Sequence, residues 1–341
     1  MPISDSEAVK FGFLVMYAED MYTEGTKIPA IDPRIKEAGW EVIAYLTAQD
    51  AILPKRSSLL PGQKQIIELG VVVFYGFLAR KSADPNEYAI AVRGTAGIAE
   101  WIIDAEFLPI ANPREPGTTV EKGFWDIYES MDLISLDGKV INDDAAKGIA
   151  AMVGGTGRVV VAGHSLGAAL ATYLSLETAK LLGPRLSACL FASPRTGDAA
   201  WAALYDKTVS DYRLFNYVLD VVPYVPFDLP PDIQYSTLSK ATVIQPSTAQ
   251  ADVRLDLSCD HHLICYCAML DYADTKASPM RPIDQQSWAC VIGPTQISVN
   301  AEVAKALAVL VNRLGIARQI VELLRDAHTL VRRSQAREAQ T

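Results

Sequence analysis

Five residues, Gly163-His164-Ser165-Leu166-Gly167, constrain this chain more than any other stretch. The residues before them, 158–162, read Arg-Val-Val-Val-Ala, a β-branched apolar run of the kind that forms a buried strand. Those after them, 168–176, are rich in alanine and leucine and apolar on one side, which reads as a helix. Strand, glycine-flanked serine and helix in that order describe a nucleophile elbow, a strained turn with the serine at its tip. Side chains at 163 and 167 would collide with the neighbouring strand and helix. The helix begins at Ser165, so its free amides and dipole favour an anion there. The bland alternative is a chance G-x-S-x-G in an ordinary turn, and both flanks argue against it.

The chain has 341 residues, 50% of them hydrophobic, ample for a large core. A net charge of −9 and a pI near 5.0 count against a nucleic-acid partner. No apolar run reaches the roughly 18 residues needed to span a bilayer. Residues 1–7 show neither a basic nor an apolar region of a secretory signal. The expectation is therefore a soluble protein, cytoplasmic or exported without an N-terminal signal, or one whose signal has been removed. The five cysteines, Cys189, Cys259, Cys265, Cys267 and Cys290, are odd in number, and without a signal they read as reduced, partly buried thiols.

Ser4 and Glu7 make a capping box ahead of an apolar helix over 8–22. Residues 31–52 read as connector plus short strand, 71–79 and 87–92 as strands. Helices are expected over 123–133 and 143–153, after a proline-rich loop over 112–119. Beyond the elbow helix come strands over 187–192 and 212–217, a helix over 198–207, a proline loop over 222–232, and strands over 241–244 and 252–257. Residues 259–270 carry His261 and His262 into a helix. Alternating strands and helices predict a mostly parallel sheet with helices on both faces. Residues 298–341 form a separate helical extension to a main domain over 1–297. Val303, Leu307, Leu310, Val311 and Leu314 line one helix face, and Ile320, Val321 and Leu324 begin a second. Two helices packed on the body or on a second copy of the chain explain them better than a membrane-surface helix.

A serine hydroxyl needs a base, nearly always histidine oriented by a carboxylate. The chain has four histidines. His164 adjoins the serine with its side chain directed away, and His328 lies in the C-terminal extension. His261 and His262 remain. In such folds the order is Ser, acid, His. Asp220, just after the strand 212–217, lies where sites of open sheets collect, with Asp228 and Asp232 in the proline loop as competitors. An oxyanion hole needs preplaced donors. The amide of Leu166 is one, and Thr95, with Gly94 allowing close approach, suits the other. Cys259, His261, His262, Cys265 and Cys267 have zinc-binding side chains. Helical spacing turns Cys265 and Cys267 about 200° apart, so packing residues are the better reading and no metal is expected.

Taken together, these motifs resemble the class 3 lipases, the α/β-hydrolase family that includes the fungal secreted lipases. The resemblance is carried by Arg93-Gly94-Thr95 with Trp101 and Asp104, Lys122-Gly123-Phe124, the elbow with Ala168 and Ala169, Ser193-Pro194-Arg195 with Gly197, and Asn216 with Asp220-Val221-Val222-Pro223. It implies an α/β-hydrolase fold with Ser165 as nucleophile, Asp220 as acid, Thr95 as oxyanion residue and a lid over 96–108. The family's histidine often precedes a tyrosine by five positions, which implies His261, five before Tyr266. Glu121 departs from the family, where a histidine is common. Ile98, Trp101, Ile102 and Ala105 recur at helical spacing opposite Glu100, Asp104 and Glu106, so the lid would have one apolar face for a lipid surface. The implied activity is cofactor-free hydrolysis of carboxylic esters, most readily acylglycerols. A phospholipase A1 or feruloyl-type esterase would use the same machinery, and a non-catalytic lipid-binding module would lack a triad member.

Overall fold

The computed structural model describes residues 2–22, 25–49, 71–95, 107–226, 234–247, 249–254, 259–281 and 288–294. The first half comprises α1 (Asp5–Met21), α2 (Pro33–Glu37), β1 (Trp40–Gln49), β2 (Val72–Lys81), β3 (Glu87–Val92), β4 (Pro109–Ala111), β5 (Thr119–Glu121), α3 (Lys122–Glu129), β6 (Asp132–Ile134), β7 (Val140–Asn142) and α4 (Ala145–Val153). There follow β8 (Arg158–His164), α5 (Leu166–Leu182), β9 (Leu186–Phe191), α6 (Ala199–Thr208), β10 (Tyr212–Tyr217), β11 (Ala241–Ile244), β12 (Asp252–Val253), α7 (Leu263–Leu270), α8 (Tyr272–Ala277) and β13 (Val291–Gly293).

Nine strands form one sheet in the order β11-β10-β9-β8-β3-β2-β1-β6-β7. The five from β11 to β3 are mutually parallel. From β3 outward the pairs β3–β2, β2–β1, β1–β6 and β6–β7 are antiparallel, so only β2 and β6 run against the rest. One apolar layer packs α3 to α6 on one face, with Phe124, Ile149, Leu170, Leu174 and Trp201 buried. The other face holds α1 and α7, with Phe13, Val15, Leu263, Tyr266 and Cys267 buried. Every residue of β9 is buried, as a parallel strand covered on both faces must be.

Local chemistry accounts for the element starts. Ser4 caps α1: its hydroxyl accepts from the Glu7 amide at 3.2 Å, and the Glu7 carboxylate accepts from the Ser4 amide at 2.9 Å. Asp198 caps α6 by accepting from the Trp201 amide at 2.8 Å.

Several expectations need correcting. Where a connector and short strand were expected over 31–52, residues 31–49 hold a short helix, capped by Asp32 with Pro33 at its first position, and a ten-residue strand. Gly39 and Trp40 obscured that strand's start. The helix expected over 123–133 ends at Glu129, and Asp132–Ile134 turns back as β6 beside β1. Of the strand expected over 252–257, Asp252–Val253 is a strand, and 255–257 lie outside the described residues.

Candidate active site

The elbow has the strain its sequence requires. Ser165 sits at φ 58°, outside the range most side chains accept, and its amide donates to the Phe191 carbonyl at 3.0 Å. A Cβ at Gly163 would lie 2.4 Å from the Gly167 carbonyl oxygen, and one at Gly167 would lie 2.3 Å from that of Val92. Glycine is thus the residue that lets β3, β8 and α5 converge on this turn. Leu166 opens α5, so its amide is one of the helix's free donors.

Asp220 follows β10 and is 1% exposed. Its Oδ2 meets Nδ1 of His261 at 2.7 Å and accepts the Tyr266 hydroxyl at 2.6 Å, while Oδ1 accepts the Val222 amide at 2.9 Å. Tyr266 in turn accepts the Tyr217 amide at 2.9 Å. Burial pushes the Tyr266 phenol well above its ordinary range, so it stays a donor. The five-residue spacing of His261 and Tyr266 has a physical reason: both reach the same carboxylate oxygen, one from the 3-10 turn Cys259–His261 and the other from α7. The ring that meets Asp220 is that of His261; His262 is half-buried at the start of α7. Ser165 Oγ and His261 Nε2 are both buried and lack a protein partner.

The corner after β3 is held by Arg93. Its guanidinium donates to the carbonyls of Phe74 and Gly94, both at 2.7 Å, and lies over the Tyr22 ring, 3.5 Å from its centroid. Gly94 backs onto the elbow: a Cβ there would lie 3.4 Å from that of Ser165. Thr95 is half-buried next to it. Glu121 is buried where the chain returns to α3, and accepts the amides of Phe124 at 2.7 Å and Leu108 at 3.2 Å. Burial raises its carboxyl above the ordinary value.

Cys259 and Cys290 form a disulfide, with Cα atoms 5.3 Å apart, which corrects the expectation of five free thiols. An odd count excludes only complete pairing, and the fold brings the two together beside the β12–β13 pair. Cys189, Cys265 and Cys267 are free and buried, and burial lifts all three thiols above their ordinary range. Among the described residues no three side chains of metal-binding type cluster, and Cys259 is engaged in its disulfide. Nor, among them, is any helix long and apolar enough to cross a membrane. The lid positions Ile98, Trp101 and Ile102, the competing acids Asp228 and Asp232, and the extension over 298–341 lie outside the described residues. His164, set aside from the sequence as directed away from Ser165, and Glu19, which no motif marks, also lie at this site.

With the geometry in place, comparison is informative. A family model described as lipase (class 3) matches residues 89–229. The secreted mono- and diacylglycerol lipase A of Penicillium cyclopium is 28% identical over 236 residues, 66% of this chain and 67% of the relative. A phospholipase A1-II of Oryza sativa subsp. japonica is 30% identical over 163 residues, 41% of this chain and 40% of that protein. The chain thus spans about two thirds of the first relative's length and well under half of the second's. The crystal structure of a Penicillium cyclopium MDLA mutant is similar in fold, with a TM-score of 0.50 and 23% identity over 84% of this chain and 95% of that one.

Proposed function

This chain belongs to the class 3 lipase family of α/β-hydrolases and is a carboxylic ester hydrolase, and from that premise we propose that it cleaves acylglycerol esters through an acyl-enzyme on Ser165. Ser165 Oγ attacks the ester carbonyl while His261 Nε2 takes its proton. Asp220 holds His261 Nδ1–H and balances the imidazolium. The amides of Thr95 and Leu166 donate to the oxyanion of the tetrahedral intermediate. The intermediate collapses, His261 protonates the departing alcohol, and water then repeats the steps to release the fatty acid. These residues hold no cofactor in the scheme.

One observation carries this reading. Ser165 Oγ and His261 Nε2 are buried without protein partners, while His261 Nδ1 is already taken up by Asp220. An imidazole anchored through Nδ1 by a buried carboxylate, with Nε2 left for the serine proton, is what a general base for Ser165 requires. A non-catalytic module therefore fits poorly.

A second reading, phospholipase A1, is favoured by the similarity to the rice enzyme. Both use the same triad and differ only in the head group tolerated. The test is a panel of mono-, di- and triacylglycerol against phosphatidylcholine, with p-nitrophenyl esters of increasing chain length as a reference. Hydrolysis of the acylglycerols with phosphatidylcholine untouched supports the first reading, and the reverse supports the second. No ester hydrolysis at all ends both. A lid stands on the sequence pattern of Ile98, Trp101, Ile102 and Ala105 alone, and predicts a rate that steps up when substrate forms droplets. Export to an oxidising compartment belongs to the same reading, supported by the Cys259–Cys290 disulfide and by a relative named as secreted.

A further inference from the structure

The scheme above has no use for Glu19 or His164, yet both lie at the centre of the site. Glu19 is near the end of α1, 145 residues before His164. His164 is 7% exposed, and its Nε2 is 2.9 Å from the backbone carbonyl oxygen of His261. Its Nδ1 is 3.3 Å from Glu19 Oε1. The same oxygen accepts the Gly94 amide at 3.3 Å. The His164 ring lies against that of His261, centroids 4.7 Å apart and tilted by 33°, with Tyr266 edge-on at 6.3 Å.

One carboxylate oxygen and one imidazole thus join three separate parts of the machinery. Gly94 immediately precedes the oxyanion residue Thr95. His164 immediately precedes the nucleophile. The carbonyl that His164 meets belongs to the base itself. We propose that Glu19 and His164 form a positioning pair that fixes the backbone of His261 relative to Ser165 and the oxyanion loop. The proposal rests on the triad reading.

A histidine that merely fills space is the competing explanation, and the hydrogen bonds argue against it. Both atoms facing the His164 ring, a carboxylate oxygen and a carbonyl oxygen, only accept. A neutral imidazole has one N–H and satisfies one of them; the second contact would set lone pair against lone pair. With the Glu19 carboxylate ionised, both contacts are made when each ring nitrogen carries a proton, and the carboxylate then balances the charge. The ionisable groups around His164 are Glu19 from α1, His261 from the 3-10 turn and Tyr266 from α7, with Asp220 behind His261. Because the pair is charge-balanced, it acts through position. Misplacing a catalytic group by about 1 Å costs on the order of 10²-fold in rate.

The test compares His164→Gln, Glu19→Ala and Glu19→Gln with wild type on a soluble short-chain ester, alongside a two-dimensional proton–nitrogen spectrum of the histidine rings. With four histidines in the chain, the His164 signals are assignable by their loss in His164→Gln or their shift in Glu19→Gln. Expected are a kcat lowered about 10- to 100-fold in His164→Gln and Glu19→Ala with KM unchanged, and partial rescue in Glu19→Gln, which keeps an acceptor for Gly94. The wild-type spectrum should show two ring N–H protons on His164. A His164→Gln enzyme with wild-type kcat, or a single N–H on that ring, overturns the proposal. If Ser165→Ala retains activity, it is the triad that falls, and the ring N–H count alone then decides the Glu19–His164 pair. Should His164→Gln fail to fold, the wild-type and Glu19→Gln spectra carry the test.

Discussion

The two halves of the sheet are built from the same kind of strand and do different work. On the parallel side, β3, β8 and β10 lead directly into residues of the candidate site: Arg93-Gly94-Thr95, Ser165 and, three residues on, Asp220. On the antiparallel side, β1, β2, β6 and β7 contribute packing and, from β2, the carbonyls of Phe74 and Tyr75, which accept from Arg93 Nε and from its amide. The contrast follows from connectivity. A parallel strand must be reached by a crossover helix, so strand ends and helix starts collect on one edge of the sheet, with free amides facing the same space. A hairpin returns the chain at once and gathers nothing there. Burial follows position in the sheet rather than this contrast. All of the central β9 is buried, whereas both edges are open, with Val243 of β11 64% exposed and Val140 of β7 55% exposed.

The contrast can be broken most directly at the elbow. Ser165→Ala should fold normally and lose roughly 10⁴–10⁶-fold in ester hydrolysis; circular dichroism and a phosphonate label checked by mass spectrometry report on both. Near-full activity in that variant would remove the functional meaning of the parallel half. His261→Ala should cost about as much, since base and nucleophile act as one unit, and His262→Ala far less; a reversed ranking would shift the base by one residue.

Smaller effects sharpen the picture. Replacing Cys259 and Cys290 by serine opens a link of sequence separation 31. Chain-entropy arithmetic puts its contribution at about 3–4 kcal/mol, read from urea unfolding, with activity falling as well because His261 is two residues away. An unchanged midpoint would argue against the link. Glu121, which caps α3, tests a buried carboxyl through pH. Its buried carboxyl has a folded value above the ordinary 4.5. The stability it contributes is whole below the unfolded value and is lost as pH rises through the folded one, by at most about 1.4 kcal/mol per pH unit. Glu121→Gln, which stays neutral, should flatten that slope; parallel stability profiles from pH 4 to 8 would refute it. Least of all, Val140→Thr at the β7 edge should move stability by no more than about 0.5 kcal/mol and leave kcat alone. A clear loss of activity there would show the antiparallel half coupled to the site.

What could be read from the chain alone follows the same division. Strands covered on both faces are continuous apolar runs, so β3, β9, β10 and the elbow strand β8 were legible to within a residue or two. β6 and the edge strand β7 have three residues each, too few to show a period, and the ten-residue β1 was hidden behind the turn at Gly39. The elbow serine was legible because strain, glycine and helix start are all local. Everything that depends on segments far apart meeting was not. The choice between His261 and His262 needed a resemblance; in the structure it is Tyr266 and His261 converging on Asp220. The disulfide joins residues whose spacing carries no signal. Glu19 and His164 are 145 positions apart, and no local pattern marks a carboxylate on the first helix as the partner of a histidine on the elbow. Sequence by itself determined most of the central elements and the strained serine of the elbow, because propensity, period and steric strain act over a few residues. Only the tertiary structure decided which histidine faces the acid and what holds it there, because hydrogen bonds between distant segments depend on where the packed sheet and helices bring them.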